Sequence, residues 1–192
     1  MNSVYLIRHG ATAGNLERRY IGCTDEALCP LGREQAMALR GALPRPELLF
    51  SSPMLRARET AALLFPGLDY SIVPELRETD FGIFEGKSAA ELSENASYRA
   101  WVEGGCTGPI PGGEAVTEFK ARTVAAFAEA MAAVPSGVDA AFVLHGGGIM
   151  AVMEALAFPE REFYAWYVGN CGYFRCEWNG GRLTLSAAKT NS

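Results

Sequence analysis

Two short stretches of the chain are continuously apolar and end in the same way. Residues 4–7 (Val-Tyr-Leu-Ile) lead into residues 8–10 (Arg-His-Gly), and residues 141–144 (Ala-Phe-Val-Leu) lead into His145 and a glycine. Such runs, ended by a turn, are typical of buried strands. A histidine at one strand end is often only a capped surface residue. His9 and His145 are the only histidines, however, and open α/β sheets bind ligands at the carboxyl ends of strands. The matched pair therefore predicts one shared site.

Helical periodicity follows the first of these strands. A helix is predicted from residue 30 to the prolines at 44 and 46, with a buried stripe at Ala36, Leu39 and Leu43. Ser52-Pro53 resembles an N-cap followed by proline at the first helical position, which predicts a second helix that ends near residue 65. Short strands are predicted at 48–51 and 71–73.

The C-terminal half repeats the alternation of helix and strand. A long helix is predicted over residues 114–133, and a further helix over about 148–157 follows the second histidine strand. The end of the chain has the pattern of a β-hairpin, with strands at 173–178 and 182–186 joined by Asn179-Gly180. The apolar face of the long helix is expected to contain Phe119, Val124, Phe127 and Met131.

The segment of about 74–113 departs from this regularity. It contains short predicted helices at 88–93 and 96–103 and is rich in glycine and proline near 104–113. A long irregular segment in a compact domain is usually a lid or a binding insertion. Around it, the alternation of strands and helices predicts an α/β fold of three layers, a mainly parallel central sheet flanked by helices. With 192 residues, we expect a single domain over 1–192.

Composition narrows the classes of function. An apolar content of 49% and a net charge of −5 are those of an ordinary globular protein and argue against general affinity for nucleic acid. No apolar run approaches the roughly 18 residues that a membrane span needs, and Arg8 interrupts the first run too early for a signal peptide. A cytoplasmic location without a membrane partner is therefore expected.

The five cysteines have no C-x-x-C spacing and fit free thiols in a reducing compartment. Neither histidine has a further cysteine or histidine at ligand spacing, which argues against a zinc site. The cysteines are at positions 23, 29, 106, 171 and 176.

Three glycine-containing motifs resemble known binding loops and are rejected. Residues 146–151 fit a dinucleotide-binding G-x-G-x-x-A, but residues 166–170 hold no acid where its partner strand should end. Residues 82–88 resemble a P-loop, with three residues between the glycines instead of four. The His-Gly-Gly-Gly run resembles a lipase oxyanion loop, yet the chain has no G-x-S-x-G nucleophile.

Two other stretches carry side chains suited to phosphate chemistry. Arg56 and Arg58 lie on the first turns of the second helix, whose preceding strand is expected beside the first strand. Arginine there can fork two donors onto phosphate or carboxylate oxygens, although a solvated helix face is the common alternative. The loop 76–82 contains Glu78 and Asp80. A carboxyl in this loop could act as a general acid, and a surface turn is the alternative.

Together these residues resemble the histidine phosphatase superfamily, also called the phosphoglycerate mutase-like family. Residues 6–12 with Asn15 resemble its R-H-G-x-T-x-x-N signature, and residues 143–147 its second histidine motif. Intermediate motifs match in the right order over nearly the whole chain, at Asp25 to Gln35-Ala36, Ser51-Ser52-Pro53 to Thr60-Ala61, Glu78 to Gly86, and Pro111 to Glu114.

The resemblance implies a role for each matched residue. His9 would be the nucleophile that forms a phosphohistidine, and Glu78 the general acid and base. Arg8, Arg56 and His145 would hold the phosphoryl oxygens. The remaining motif residues would bind the same group, Asn15 by a neutral hydrogen bond, together with Thr12 and Gly146. The substrate would be a small phosphate ester, with no metal and no cofactor.

Departures from the family pattern favour one branch. Phe84 stands where tryptophan is usual and Ala115 where serine is usual, and both are expected at the pocket rim. The chain is shorter than true mutases and has the phosphatase-like F-G-x-x-E-G pattern, which favours a phosphatase over phosphoglycerate mutase-type transfer. Residues 20–36 resemble α-ribazole phosphatases. A non-catalytic phospholigand-binding relative is disfavoured because the catalytic set is complete. The sequence determines neither the substrate nor the oligomeric state.

Overall fold

A central sheet of seven strands organises residues 1–191, which the computed structural model describes. The strands are β1 (Asn2–Arg8), β2 (Leu48–Ser51), β3 (Ser71–Ile72), β4 (Ala140–Leu144), β5 (Ala157–Phe158), β6 (Tyr173–Trp178) and β7 (Leu183–Lys189), in the order β3-β2-β4-β1-β6-β7-β5. β6 runs antiparallel to β1 and β7, and the other pairings are parallel. This arrangement confirms the predicted α/β class with a mainly parallel sheet.

Helices accompany the strands. They are α1 (Ala13–Leu16), α2 (Pro30–Leu39), α3 (Leu55–Leu64), α4 (Ala96–Glu103), α5 (Val116–Ala132) and α6 (Gly146–Leu156), with 3-10 turns at Pro74–Leu76, Gly82–Phe84 and Phe163–Trp166. Within the described chain, none of the helices is long and apolar enough to cross a membrane.

Alternation along the central strands divides the core into two. Val4 and Leu6 of β1 pack in a cluster with residues of α5 and α6, whereas Tyr5 and Ile7 pack in a cluster with residues of α2 and α3. Successive side chains of a strand point to opposite faces, so a continuous apolar run is the signature of a strand covered on both sides. The three predicted layers are therefore present, with helices on both faces of the sheet.

The order of the central strands differs from the expectation. We expected the strand before the Arg56 helix to lie beside the first strand, but β4 lies between them and pairs with both. Strand order depends on contacts between residues far apart in the chain, which local periodicity does not encode. The sequence pattern also missed the short α1 and β5.

Several helix boundaries were predicted incorrectly. The helix expected from Pro53 begins only at Leu55, because Met54 is its N-cap residue with extended backbone angles and the Leu55 N–H donates to the Asp25 carboxylate (2.5 Å). The helix α2 ends at Leu39, ahead of the prolines, and Gly41 follows with φ +82°. The helix expected over 88–93 is a series of turns, in which the Glu91 carboxylate accepts from the backbone N–H of Ser88 (2.8 Å). Side-chain bonds of this kind compete with helix formation.

The segment 74–113 has a small core of its own. Phe84, Leu92, Tyr98, Trp101 and Ile110 form a buried cluster separate from the two clusters that flank the sheet. Asn95 caps α4 by accepting from the Tyr98 N–H (3.0 Å), as short polar side chains do at helix starts. The segment is therefore packed and well defined, although only eight of its residues are in an α-helix.

Candidate active site

The ends of three adjacent parallel strands form the candidate site. β2, β4 and β1 are followed by Ser52, His145 and His9, and the backbone ladder continues past each strand. The His9 N–H donates to the Leu144 carbonyl (3.0 Å), and the Ser52 N–H donates to the Val143 carbonyl (3.0 Å). The two histidine rings meet edge to face, with centroids 5.1 Å apart. The structure thus brings together the two histidines that the sequence predicted in one site.

A backbone carbonyl fixes the proton of His9. The Nδ1 atom of this ring lies 2.7 Å from the carbonyl oxygen of Gly10. A carbonyl oxygen can only accept a hydrogen bond, so Nδ1 carries the proton. The Nε2 atom then holds the free lone pair, which is the form a nucleophilic imidazole requires.

Ser52, which was predicted as a helix cap, contacts His145 instead. The Ser52 hydroxyl oxygen lies 2.7 Å from Nε2 of His145 and accepts a longer hydrogen bond from the Met54 N–H (3.3 Å). With one acceptor position used by Met54, the hydroxyl is suited to donate its proton to Nε2. His145 Nδ1 then carries the ring proton as a donor, and it is buried with no partner within residues 1–191.

Two arginines bring positive charge to these rings. Arg56 is almost fully buried, and its guanidinium donates to the carbonyls of Thr24 (2.8 Å) and Gly22 (3.0 Å). Arg8 donates to the carbonyl of Val168 (2.8 Å). Both guanidinium groups donate to neutral oxygens, so their positive charge is not paired with a carboxylate. Their Nε atoms are buried without a partner in the described chain, as expected for donors arranged around an anion.

Burial and positive charge act together on both imidazoles. Desolvation, followed by the charges of Arg56 and Arg8, lowers the pKa of His9 well below its usual value, and the same causes lower the pKa of His145. Removing a ring from water and placing it near cations both disfavour a second proton. Both histidines are therefore neutral at neutral pH.

The carboxylate of Glu78 lies at the start of α6. Its Oε2 atom accepts from the Gly147 N–H (3.1 Å). A Cβ at residue 147 would lie 2.5 Å from Oε1 of Glu78, so the glycine permits this close approach. The two other acidic residues close to Glu78 in the chain have partners of their own, Glu75 with Arg77 and Asp80 with the Gly82 N–H. The Gly147 N–H at the start of α6 is therefore occupied by Glu78.

Arg122 on α5 fixes the backbone of the loop that carries this carboxylate. Its guanidinium donates to the carbonyls of Arg77 (3.0 Å) and Glu78 (3.0 Å) and forms a two-pronged ion pair with Glu114 (2.6 and 2.7 Å). Both side chains of this pair are about 13% exposed. No sequence signal identified Arg122, because its role depends on contacts made 44 residues away along the chain.

The smaller polar residues of the first motif form a network. Asn15 and the N-cap Thr12 bond each other reciprocally at the start of α1. Asn170 donates both to Oδ1 of Asn15 (3.1 Å) and to the carbonyl of His9 (3.1 Å). With Oδ1 of Asn15 occupied, its amide nitrogen is the end suited to donate. A Cβ at Gly146 would meet the Arg8 guanidinium at 3.4 Å, which places this glycine against the arginine.

A cavity of about 220 Å³ adjoins Glu78 and Gly147. A larger cavity of about 660 Å³ lies near the end of α6 and contains neither histidine. Phe84, which we expected at the pocket rim, is instead fully buried in the cluster of segment 74–113. Ala115 caps α5, directly before the cavity residue Val116.

The structure therefore collects the predicted residues His9, His145, Arg8 and Arg56 around one region, with Glu78 beside Gly147. It adds Ser52, Asn170 and Arg122 as their supports. Within residues 1–191, no three His, Cys, Asp or Glu side chains are grouped as metal ligands would be. All five cysteines are free thiols, as predicted.

Comparison with known proteins places the whole chain in one superfamily. The model of the histidine phosphatase superfamily (branch 1) matches residues 4–191. A protein of Salmonella paratyphi C named "Probable phosphoglycerate mutase GpmB" is 32% identical over 97% of this chain and 89% of its own.

Solved structures also resemble the whole chain. The α-ribazole phosphatase from Shigella flexneri has a TM-score of 0.82 at 25% identity and covers 97% of this chain and 95% of its own. The phosphoglycerate mutase from Thermus thermophilus has a TM-score of 0.75 at 31% identity and covers 97% of each chain.

Proposed function

Since the chain belongs to the histidine phosphatase superfamily (branch 1), we propose that it hydrolyses a small phosphomonoester through a phosphohistidine on His9, without a metal. The observation that carries this proposal is the 2.7 Å contact between His9 Nδ1 and the Gly10 carbonyl. That contact fixes the proton on one ring nitrogen and leaves the lone pair on the other, in a ring that burial keeps neutral.

The first step transfers the phosphoryl group to His9. The Nε2 lone pair attacks phosphorus, and the bond from phosphorus to the ester oxygen breaks. Protonated Glu78 gives its proton to the leaving oxygen. Arg8, Arg56 and the Nδ1–H of His145 offset the charge on the phosphoryl oxygens, while Asn15, Thr12 and Gly146 line the same group.

The second step returns the enzyme to its starting state. The Glu78 carboxylate takes a proton from water, the water oxygen attacks phosphorus, and the bond from phosphorus to Nε2 breaks. The products are inorganic phosphate and neutral His9. Glu78 again carries the proton, so one residue serves as acid and then as base.

Phosphoglycerate mutase-type transfer is the second candidate, because relatives named as mutases match the chain at 31–32% identity, whereas the Shigella α-ribazole phosphatase matches at 25%. The phosphatase reaction is favoured by the F-G-x-x-E-G pattern of residues 81–86. α-Ribazole phosphate is a candidate substrate, supported by the likeness to the Shigella enzyme. Segment 74–113 is proposed to act as the binding insertion of a single domain.

Product analysis in excess chelator tests this proposal. The enzyme is supplied with phosphoglycerates and with a panel of phosphomonoesters that includes α-ribazole phosphate. It should release inorganic phosphate from its substrates at the same rate with and without chelator. The charges of Arg8 and Arg56 already offset that of the phosphoryl group, so chelation should have no effect. Recovery of activity only on adding a divalent ion would contradict the proposal. Isomerised phosphoglycerate without phosphate release would establish the mutase reaction.

A further inference from the structure

The cavity beside Glu78 is walled mainly by aromatic rings. Six rings contribute to its lining, and Val116 and Met150 add further apolar surface. The six are Tyr20, Phe81, Trp101, Phe119, Phe163 and Tyr164. If Glu78 protonates the leaving oxygen, as the proposed function requires, the group attached to that oxygen lies in this cavity.

The charges around this cavity disfavour an anionic leaving group. Glu78 is the only acidic or basic side chain in the lining, so the cavity offers no cation to pair with a carboxylate on the leaving group. The cations that contact lining rings are already paired. Lys120 lies over the Phe163 ring (4.0 Å) but is bonded to Glu154 (2.6 Å). Arg122 lies over Phe119 (5.0 Å) but is paired with Glu114.

Segment 74–113 holds one wall of the cavity in place. The Tyr20 hydroxyl bonds that of Tyr98 (2.9 Å), and the Tyr20 ring packs on Phe81 (5.1 Å between centroids) and Trp101 (6.0 Å). These rings belong to the buried cluster of the segment or pack against it. A prearranged aromatic wall binds a planar apolar group without first having to order its own side chains.

We propose that this cavity selects phosphate esters of uncharged aromatic alcohols and discriminates against esters whose leaving group carries a carboxylate, phosphoglycerates included. The inference rests on the proposed function, because only turnover through Glu78 places the leaving group there. At about 220 Å³, the cavity suits one or two fused rings rather than a larger ligand.

Matched substrates separate the effect of the ring from that of charge. Ethyl and 2-phenylethyl phosphate both have a primary alcohol as the leaving group. The difference in kcat/KM between them therefore reports contact with the ring. We expect kcat/KM to be at least about tenfold higher for the phenyl ester, given the apolar area that it buries. The derivatives of 2-phenylethyl phosphate with a 4-carbamoyl or a 4-carboxy group on the ring have nearly the same shape and differ in charge. We expect the carboxylate to be at least about tenfold slower, because it is desolvated without a cation.

Variants test whether this cavity is responsible. Tyr164 is 60% exposed, so Tyr164→Ala should lower the phenyl-to-ethyl ratio severalfold without disturbing the core. Phe158→Ala is the control, since Phe158 is similarly exposed (53%) on β5 and outside the cavity, and it should leave the ratio unchanged. Val116→Arg would add the missing cation and should narrow the difference between the carboxy and carbamoyl esters.

The outcomes distinguish this inference from the proposed function. Turnover with phenyl-to-ethyl and carbamoyl-to-carboxy ratios near one would overturn the inference alone. An equal loss of ratio in Tyr164→Ala and Phe158→Ala would also overturn it. No turnover of any ester, and no phosphohistidine, would overturn the proposed function and this inference with it.

Discussion

The two histidines have the same surroundings but different partners. His9 Nδ1 faces a carbonyl, which can only accept, whereas His145 Nε2 faces a hydroxyl, which can donate. These contacts give the two rings opposite hydrogen-bonding roles, a lone pair on His9 Nε2 and a proton on His145 Nδ1. The roles proposed for them, nucleophile for His9 and hydrogen-bond donor to the phosphoryl group for His145, therefore depend on one backbone oxygen and one serine.

Glu78 should matter in proportion to the basicity of the leaving oxygen. An alkoxide needs a proton in the transition state, an effect typically worth about 10²–10⁴-fold, whereas a nitrophenolate is stable as an anion. Glu78→Gln should therefore slow hydrolysis of an alkyl phosphate far more than that of 4-nitrophenyl phosphate. Steady-state kinetics on both esters measures this difference.

The neighbouring acids provide the controls for that experiment. Glu75 pairs with Arg77, and Asp80 bonds the Gly82 backbone, so Glu75→Gln and Asp80→Asn should not produce the selective loss. A selective loss in Asp80→Asn, or an equal loss of both substrates in Glu78→Gln, would mean that the acid is a different residue.

At the scale of elements, the site depends on strands that end side by side. Local sequence predicted β1 and β4, because a strand covered on both faces is apolar at every position. It also predicted that the histidines after these two strands share one site. Ser52 was predicted only as a helix cap and as part of a family motif, although its strand end lies next to that of His145. Its contact with His145 spans 93 positions, which local periodicity cannot reveal.

Arg122 is expected to position Glu78 through the loop backbone. Arg122→Lys keeps the charge but cannot bond two carbonyls and both oxygens of Glu114 at once. We expect kcat for an alkyl phosphate to fall about tenfold or more, with a smaller loss for 4-nitrophenyl phosphate and little change in KM.

Arg99→Lys on α4 is the matched control, since its ion pair with Glu94 is exposed (52% and 92%) and should contribute little. If Arg122→Lys lowered stability but slowed both esters equally, Arg122 would be structural and would not position the acid.

For the whole molecule, the buried histidines couple stability to pH. Their pKa values are lowered in the folded protein, whereas histidines in the unfolded chain titrate near pH 6.5. Below that pH the unfolded state therefore holds more protons, and the free energy of unfolding should fall as pH falls. The slope should reach about 1.4 kcal/mol per pH unit for each histidine.

Denaturant titrations between about pH 5.5 and 6.5 measure this slope above the range in which carboxyl groups of the unfolded chain titrate. His145→Asn should roughly halve the dependence, because one of the two titrating rings is removed. A free energy of unfolding that is constant over this interval would contradict the burial of neutral imidazoles.

The overall class of the fold was predictable, but its internal arrangement was not. The spacing of apolar residues distinguishes strands from helices, because it reflects which face of each element is buried. Strands that alternate with helices along the chain therefore indicated three layers. The insertion of β4 between β2 and β1 and the separate core around Phe84 both arise from long-range packing. Phe84 illustrates the limit, because its sequence position suggested a pocket residue and its packing made it a core residue.

Trapping the phosphoenzyme tests the central claim most directly. The enzyme is mixed rapidly with an ester labelled in its phosphoryl group, quenched with alkali, and digested to locate the label by mass spectrometry. We predict that label appears on His9 within one turnover and decays as phosphate is released, and that Glu78→Gln accumulates it with 4-nitrophenyl phosphate. Turnover by native enzyme without label on His9, or retained turnover in a well-folded His9→Ala variant, would contradict the account.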